Sequence, residues 1–200
     1  MSHAPEFLFS HRFPGMIWNT FAVEPANLLA LEVRDDSTFT TTFSLLDYSQ
    51  NKFLLKDKSV AEPWWVSLAS ADQHTLLINR FMNKGGNPDQ KSLIALDVPS
   101  GSIRWEAESF SFFDWNEQEI FGYRTAGDPQ QAKINRATGS LTEEDWEQAK
   151  MSTPAERQRP VFYAEGSQHF GTIKEFLSRT DYAIVKGVEY LEFNDWIIMS

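Results

Sequence analysis

Leu93-Ile94-Ala95-Leu96-Asp97-Val98-Pro99-Ser100-Gly101-Ser102-Ile103-Arg104-Trp105 is the stretch on which the fold of this 200-residue chain turns. Leu93–Leu96 is a short apolar run of strand length. Asp97 follows, with a carboxylate that can accept a backbone amide two residues on. Pro99 then fixes its own φ, and Gly101 tolerates a left-handed backbone. A second extended run from Ser102 to Trp105 completes what reads as a β-hairpin.

The same pattern recurs on either side. Phe43-Ser44-Leu45-Leu46-Asp47-Tyr48-Ser49-Gln50-Asn51-Lys52-Phe53 precedes it, and Ala132-Lys133-Ile134-Asn135-Arg136-Ala137-Thr138-Gly139-Ser140-Leu141 follows. The turns open at Asp47, Asp97 and Asn135, which are 50 and 38 residues apart. Upstream of each lies a tryptophan run: Met16–Asn19 around Trp18, Trp64–Ser67 around Trp65, and Phe113–Asn116 around Trp115. Between each tryptophan run and its hairpin sits one more apolar run, Leu28–Val33, Thr75–Phe81 or Glu119–Arg124. Four strands in a repeat of roughly 40–50 residues is the period of a propeller blade. The expected architecture is therefore all-β, a propeller-like array within one domain over residues 1–200. Its three four-stranded blades fall at about 16–58, 62–108 and 110–145.

Ala95-x-Asp97-x-x-Ser100-Gly101-x-x-x-Trp105 resembles the tryptophan-docking repeat of quinoprotein-type propellers. The third copy keeps the turn Asn135 to Gly139 but has Glu143 at the tryptophan position, and the first has Asn51 for glycine and Leu55 for tryptophan. The resemblance implies that Gly and Trp hold neighbouring blades together; it implies no activity. A quinone-dependent dehydrogenase is not expected, because those enzymes use eight blades and paired cysteines, and this chain has no cysteine. Over most of its length the chain also resembles a small propeller-like family of unknown function.

The last sixty residues read differently. Thr142-Glu143-Glu144-Asp145 has an N-cap residue and acids for a first turn, so a short helix is expected to about Lys150, before Pro154. A second helix is expected from Ser167 to about Arg179, with Phe170, Ile173, Phe176 and Leu177 on one stripe. Val188–Phe193 and Trp196–Met199 then read as the first two strands of a partial fourth blade. An apolar terminal strand invites pairing. Either the chain is a piece of a longer protein, or the edge is covered by the N-terminal run around Phe7–Phe9, by a helix, or by a second copy in a homodimer.

Composition narrows the function classes. The net charge of −10 is spread over both halves of the chain, which disfavours nucleic acid as a partner. The lack of cysteine excludes disulfides, thiol catalysis and thiolate metal sites. No secretory signal and no membrane-spanning run is read, and a cytoplasmic location is expected. His3, His11, His74 and His169 form no ligand pair, so no metal and no cofactor are expected.

Glu106, Glu108, Asp114, Glu117 and Glu119 read as a solvated edge, and Gly85-Gly86-Asn87-Pro88 as a hairpin loop. Because blades are packed on both faces, Trp18, Trp65 and Trp115 are expected in the core, with Trp64 the surface anchor. The expected function is a non-catalytic binding or scaffolding module for a protein or peptide. The alternative is a carbohydrate-binding or glycoside-acting protein using Asp114 and Glu117 beside Trp64 or Trp115.

Overall fold

A computed structural model describes residues 9–23, 26–82, 91–146, 160–178, 186–193 and 196–199. The chain forms two compact units, one of Met1–Arg12 with Gln158–Ser200 and one of Phe13–Arg157.

The larger unit is built from three four-stranded antiparallel sheets, each a meander of strands consecutive in sequence. The first holds β1 (Met16–Val23), β2 (Leu28–Asp35), β3 (Thr40–Asp47) and β4 (Lys52–Lys58). β5 (Val66–Ala71), β6 (Thr75–Phe81), β7 (Lys91–Asp97) and β8 (Ser102–Ala107) make the second. The third comprises β9 (Phe110–Trp115), β10 (Glu119–Arg124), β11 (Gln130–Asn135) and the two-residue β12 (Leu141–Thr142).

Side-chain alternation explains how these sheets stack. In the second sheet Leu68, Ile78, Ile94 and Leu96 face the first sheet, where they pack with Leu28, Ala30, Phe43 and Leu45. Their neighbours Ala69, Leu77, Leu93, Ala95 and Trp105 point the other way and pack with Phe110, Ile120, Ala132 and Ile134 of the third sheet. The middle sheet is therefore packed on both faces, which is why its central strands β6 and β7 hold the unbroken apolar runs Leu76–Ile78 and Leu93–Leu96. Each fully buried Leu or Ile contributes about 1.5–3 kcal/mol.

The repeated turns form as their chemistry predicts. Asp47 Oδ1 accepts the Ser49 hydroxyl and the Gln50 amide, Asp97 Oδ2 accepts the Ser100 amide and hydroxyl, and Asn135 Oδ1 accepts the Ala137 and Thr138 amides. Asn51, Gly101 and Gly139 all take positive φ, at 52°, 64° and 74°. Each of the later glycines also underlies a side chain from the preceding sheet. A Cβ on Gly139 would lie 2.5 Å from Cγ of Trp105, and one on Gly101 would lie 3.3 Å from Leu55. The Trp105 indole N–H donates to the Arg136 carbonyl at 2.9 Å.

In the smaller unit β13 (Val161–Ala164), β14 (Gly187–Phe193) and β15 (Trp196–Met199) form an antiparallel sheet. Helix α1 (Phe170–Leu177) packs Phe170, Ile173 and Leu177 with Val188, Tyr163 and Tyr190 of that sheet.

Several expectations need correction. No helix opens at Thr142: Leu141 and Thr142 pair with Ile134 and Lys133 as β12, and Glu143 to Trp146 are irregular. The acids there have other partners, Glu143 on Arg124 and Glu144 on Lys133. The rest of that expected helix, the loop with Gly85-Gly86-Asn87-Pro88, and Phe7 and Leu8 lie outside the described residues, while Phe9 and Ser10 are not in a strand. The last sheet has three described strands rather than two, because β13 supplies one that was not expected. Trp64 and Trp65 precede β5 instead of lying within it. Trp18 and Trp65 are exposed, at 56% and 38%, not in the core. Among the described side chains the buried indoles are Trp105 and Trp146, the latter lying on Phe113, Phe121 and Tyr123 and donating its N–H to the Gly122 carbonyl.

Candidate functional site

β2 carries Glu32 and Arg34 two residues apart, so both side chains leave the same face, the one toward the second sheet. Glu32 is fully buried. Its Oε1 accepts from Arg34 Nε at 2.8 Å and its Oε2 from the Leu68 amide at 2.9 Å. Arg34 Nη2 also donates to the Val66 carbonyl at 2.8 Å. A buried carboxylate with a cation and a backbone amide as partners is satisfied, and it bolts β2 to the start of β5.

The Arg34 guanidinium lies against two indoles, 4.8 Å from the Trp18 ring centroid and 5.2 Å from that of Trp64. Trp18 stands at the irregularity in β1 between Ile17 and Asn19, which turns its ring outward. Trp64 is held by the loop before β5: Glu62 Oε1 accepts both the Trp64 and Trp65 amides, and the Pro63 carbonyl accepts the Thr41 amide at 2.6 Å. These bonds, and the missing N–H of Pro63, are why β5 begins only at Val66.

Phe39 meets Trp64 edge to face, with centroids 5.4 Å apart and planes at 74°. Its φ is 52°, a left-handed conformation uncommon for a bulky side chain. The turn that imposes it is fixed by Asp35, which accepts the Ser37 amide and hydroxyl. Those bonds, the hydroxyl foremost, hold the Asp35 carboxyl below the usual carboxylate range. Met16 pairs across from Arg34.

Met16, Trp18, Phe39 and Trp65 are 54%, 56%, 62% and 38% exposed. Met16, Trp18 and Phe39, with Trp64, lie around one arginine whose charge a buried glutamate balances. This surface offers ring faces and edges on which a cation or an apolar group can stack.

The other sequence-derived candidates lie elsewhere. Asp114 is on β9 opposite Phe121 and is 5% exposed, while Glu117 is exposed in the following turn, where Asn116 caps the Gln118 and Glu119 amides. Both belong to the third sheet, whereas Trp64 belongs to the junction of the first two. Trp115 faces Arg136, whose guanidinium carbon is 4.1 Å from the ring centroid. Arg136 also pairs with Asp72 and donates to the Asn116 carbonyl. Among the described residues there is no group of His, Cys, Asp or Glu that could hold a metal, and no helix long and apolar enough to cross a membrane.

Glu32, Arg34, Phe39 and Met16 are functional candidates that sequence reasoning passed over. One signal was available: a glutamate and an arginine at i and i+2 on a strand that is otherwise apolar, Leu28-Leu29-Ala30-Leu31-Glu32-Val33-Arg34.

No curated protein matches the chain. A family model described as a domain of unknown function, DUF4905, matches residues 23–105. The matched span runs from the end of β1 to Trp105 in β8, and so includes Glu32, Arg34, Phe39, Trp64 and Trp65 but not Met16 or Trp18. The match speaks for a family of unknown function and not for quinoprotein-type repeats, and in that span the chain is similar to the DUF4905 domain.

Proposed function

We propose that this chain is a non-catalytic, propeller-like binding module that takes up a segment of another protein on the face formed by Met16, Trp18, Phe39 and Trp64. The observation that carries this reading is the exposure of three large apolar side chains, Met16, Trp18 and Phe39, around one ion pair whose glutamate is buried. Clustered exposed aromatics mark interaction surfaces, and Trp and Arg are the residues that most often dominate their energetics. The propeller-like part of the reading draws support from the successive stacking of three sheets and from Trp105 and Leu55 lying on the glycine of the next repeat. A cytoplasmic setting without cofactor, and homodimer pairing along the outer edge of β15, belong to the same proposal; light scattering tests the dimer.

The test of the binding face is selection from a displayed library of random peptides on the whole chain, repeated on Trp18→Ala and Phe39→Ala. Peptides that bind the natural sequence and are lost on both variants support the reading. A library that yields none, or peptides indifferent to both substitutions, overturns it. An oligosaccharide panel run in parallel gives the sugar-binding alternative its own readout.

A further inference from the structure

We infer that the partner segment is basic: an extended, arginine-bearing stretch whose guanidinium groups stack on the open indole faces and meet the acids at the rim. This rests on the binding reading above and adds the chemistry of the occupant.

Two observations carry it. The first is the charge around the face. Asp35 and Asp36 sit in the turn that presents Phe39, and Glu62 sits in the loop that presents Trp64 and Trp65. Arg34, the cation within the face, is neutralised by Glu32. Asp35 and Asp36 therefore place negative charge at the rim, on a chain whose total is −10. The second is that these rings already hold a guanidinium. Arg34 lies within 5.2 Å of both the Trp18 and Trp64 centroids, and Trp18 still leaves 56% of its surface open. A second guanidinium on the open side meets the same ring quadrupole. It also meets an acidic rim that raises the local concentration of cations and orients their approach. An acidic segment would meet repulsion from Asp36 and Glu62, and a neutral sugar would gain stacking but nothing from the rim.

The experiment uses the full chain and three fluorescent peptides of one extended, proline-spaced sequence, carrying arginine, the neutral isostere citrulline, or glutamate at the same positions. Anisotropy titrations at low and moderate salt give the affinities. The arginine peptide is expected to bind at least about tenfold tighter than the citrulline peptide and to weaken as salt rises. Trp18→Ala should weaken it by at least about tenfold, as truncation of a central anchor does. Because Trp18 is mostly exposed, its removal should leave the thermal midpoint nearly unchanged, and that measurement separates lost binding from lost folding.

Net charge alone would attract any basic peptide, so position is tested with two charge reversals. Asp36→Lys lies at the face, and Asp128→Lys lies in an exposed turn between β10 and β11 of the third sheet. Both change the total equally, and the inference expects Asp36→Lys to weaken binding several-fold more. Equal effects of the two reversals, or equal affinity for the arginine and citrulline peptides, would overturn it. If library peptides bind the face yet arginine confers no advantage, the basic partner fails and the binding face stands. If no peptide binds there, both fail together.

Discussion

Two arginines bridge the sheets of the larger unit, and they do so by different physics. Arg34 works where β2 meets the start of β5, with its counter-charge Glu32 fully buried. Arg136 works just beyond the far end of β5, where Asp72 keeps 28% of its side-chain surface open. The six residues of β5 separate the two ends by about 20 Å at roughly 3.3 Å per residue. Both arginines lie on tryptophan, Arg34 on Trp18 and Trp64 and Arg136 on Trp115. At the first junction the polar pair lies inside and the rings face solvent. At the second the rings are more enclosed and the charges are wetter. An ion pair inside and aromatics outside is what the proposed contact surface calls for, whereas the second junction has the build of a seam.

The largest expected effect is at Glu32. Glu32→Ala would leave a buried cation and the Leu68 amide without their acceptor, a loss of about 3–5 kcal/mol. The denaturant midpoint should fall accordingly. The double variant Glu32→Leu, Arg34→Met removes both charges and should recover part of that loss, because an apolar pair of similar volume avoids the unbalanced charge. A loss for Glu32→Ala no larger than that for Arg136→Ala would erase the distinction between the junctions.

Next in size is the glycine of the second junction. Gly139→Ala would set a Cβ 2.5 Å from the Trp105 ring at a φ of 74°, so crowding adds to backbone strain, and about 2–3 kcal/mol is expected. Gly101→Ala, where the β7–β8 turn lies against β4, meets Leu55 at 3.3 Å, a contact a flexible side chain can relax, so only the backbone cost of about 1 kcal/mol should remain. Thermal unfolding of the two variants decides the order. Arg136→Ala follows, at about 1–2 kcal/mol, since it removes a bond to the Asn116 carbonyl and a ring contact but leaves Asp72 able to rehydrate.

These differences explain what the sequence made legible. The three hairpin turns are local chemistry: Asp47, Asp97 and Asn135 bond amides within three residues, so their spacing alone reveals them. The apolar runs between a tryptophan run and its hairpin were equally plain, with β6 and β10 matching their expected bounds. The helix expected at Thr142 failed because an N-cap followed by acids is also what a hairpin end looks like. Pairing of Leu141 with Ile134 and ion pairs from Glu143 and Glu144 decide between the two, and those partners are distant in sequence. The tryptophans misled for a related reason. A run such as Trp64-Trp65-Val66 is apolar enough for a strand, but the Glu62 cap and Pro63 end the loop two residues later. The aromatic face was illegible because Trp18, Arg34, Phe39 and Trp64 come from three segments, and only the packing of β2 against β5 brings them together.

The smallest expected effect compares the two turns that lie against the junctions. Asp97 is pulled down to about 2, first by the hydrogen bond from the Ser100 hydroxyl and then by Arg104. Asn135 makes the matching bonds in the next repeat with a group that does not titrate. Because the folded value at Asp97 lies below the ordinary 3.8, the unfolded chain binds the proton more readily in that window. The contribution of Asp97 is therefore fully present above the ordinary value and fades as pH falls toward 2. Asp97→Asn keeps an acceptor for Ser100, as Asn135 does for Thr138, and removes the titration. Its stability near neutrality should be close to that of the natural chain, apart from the exposed Arg104 pair. The natural chain's midpoint minus the variant's should then decrease as pH falls from 4 to 2, because only the natural chain loses the contribution of Asp97, measured as urea midpoints at each pH. A natural-minus-variant difference that increases on acidification would mean that Asp97 gains its proton more easily in the fold than out of it, opposite to what its bonds to Ser100 and Arg104 require.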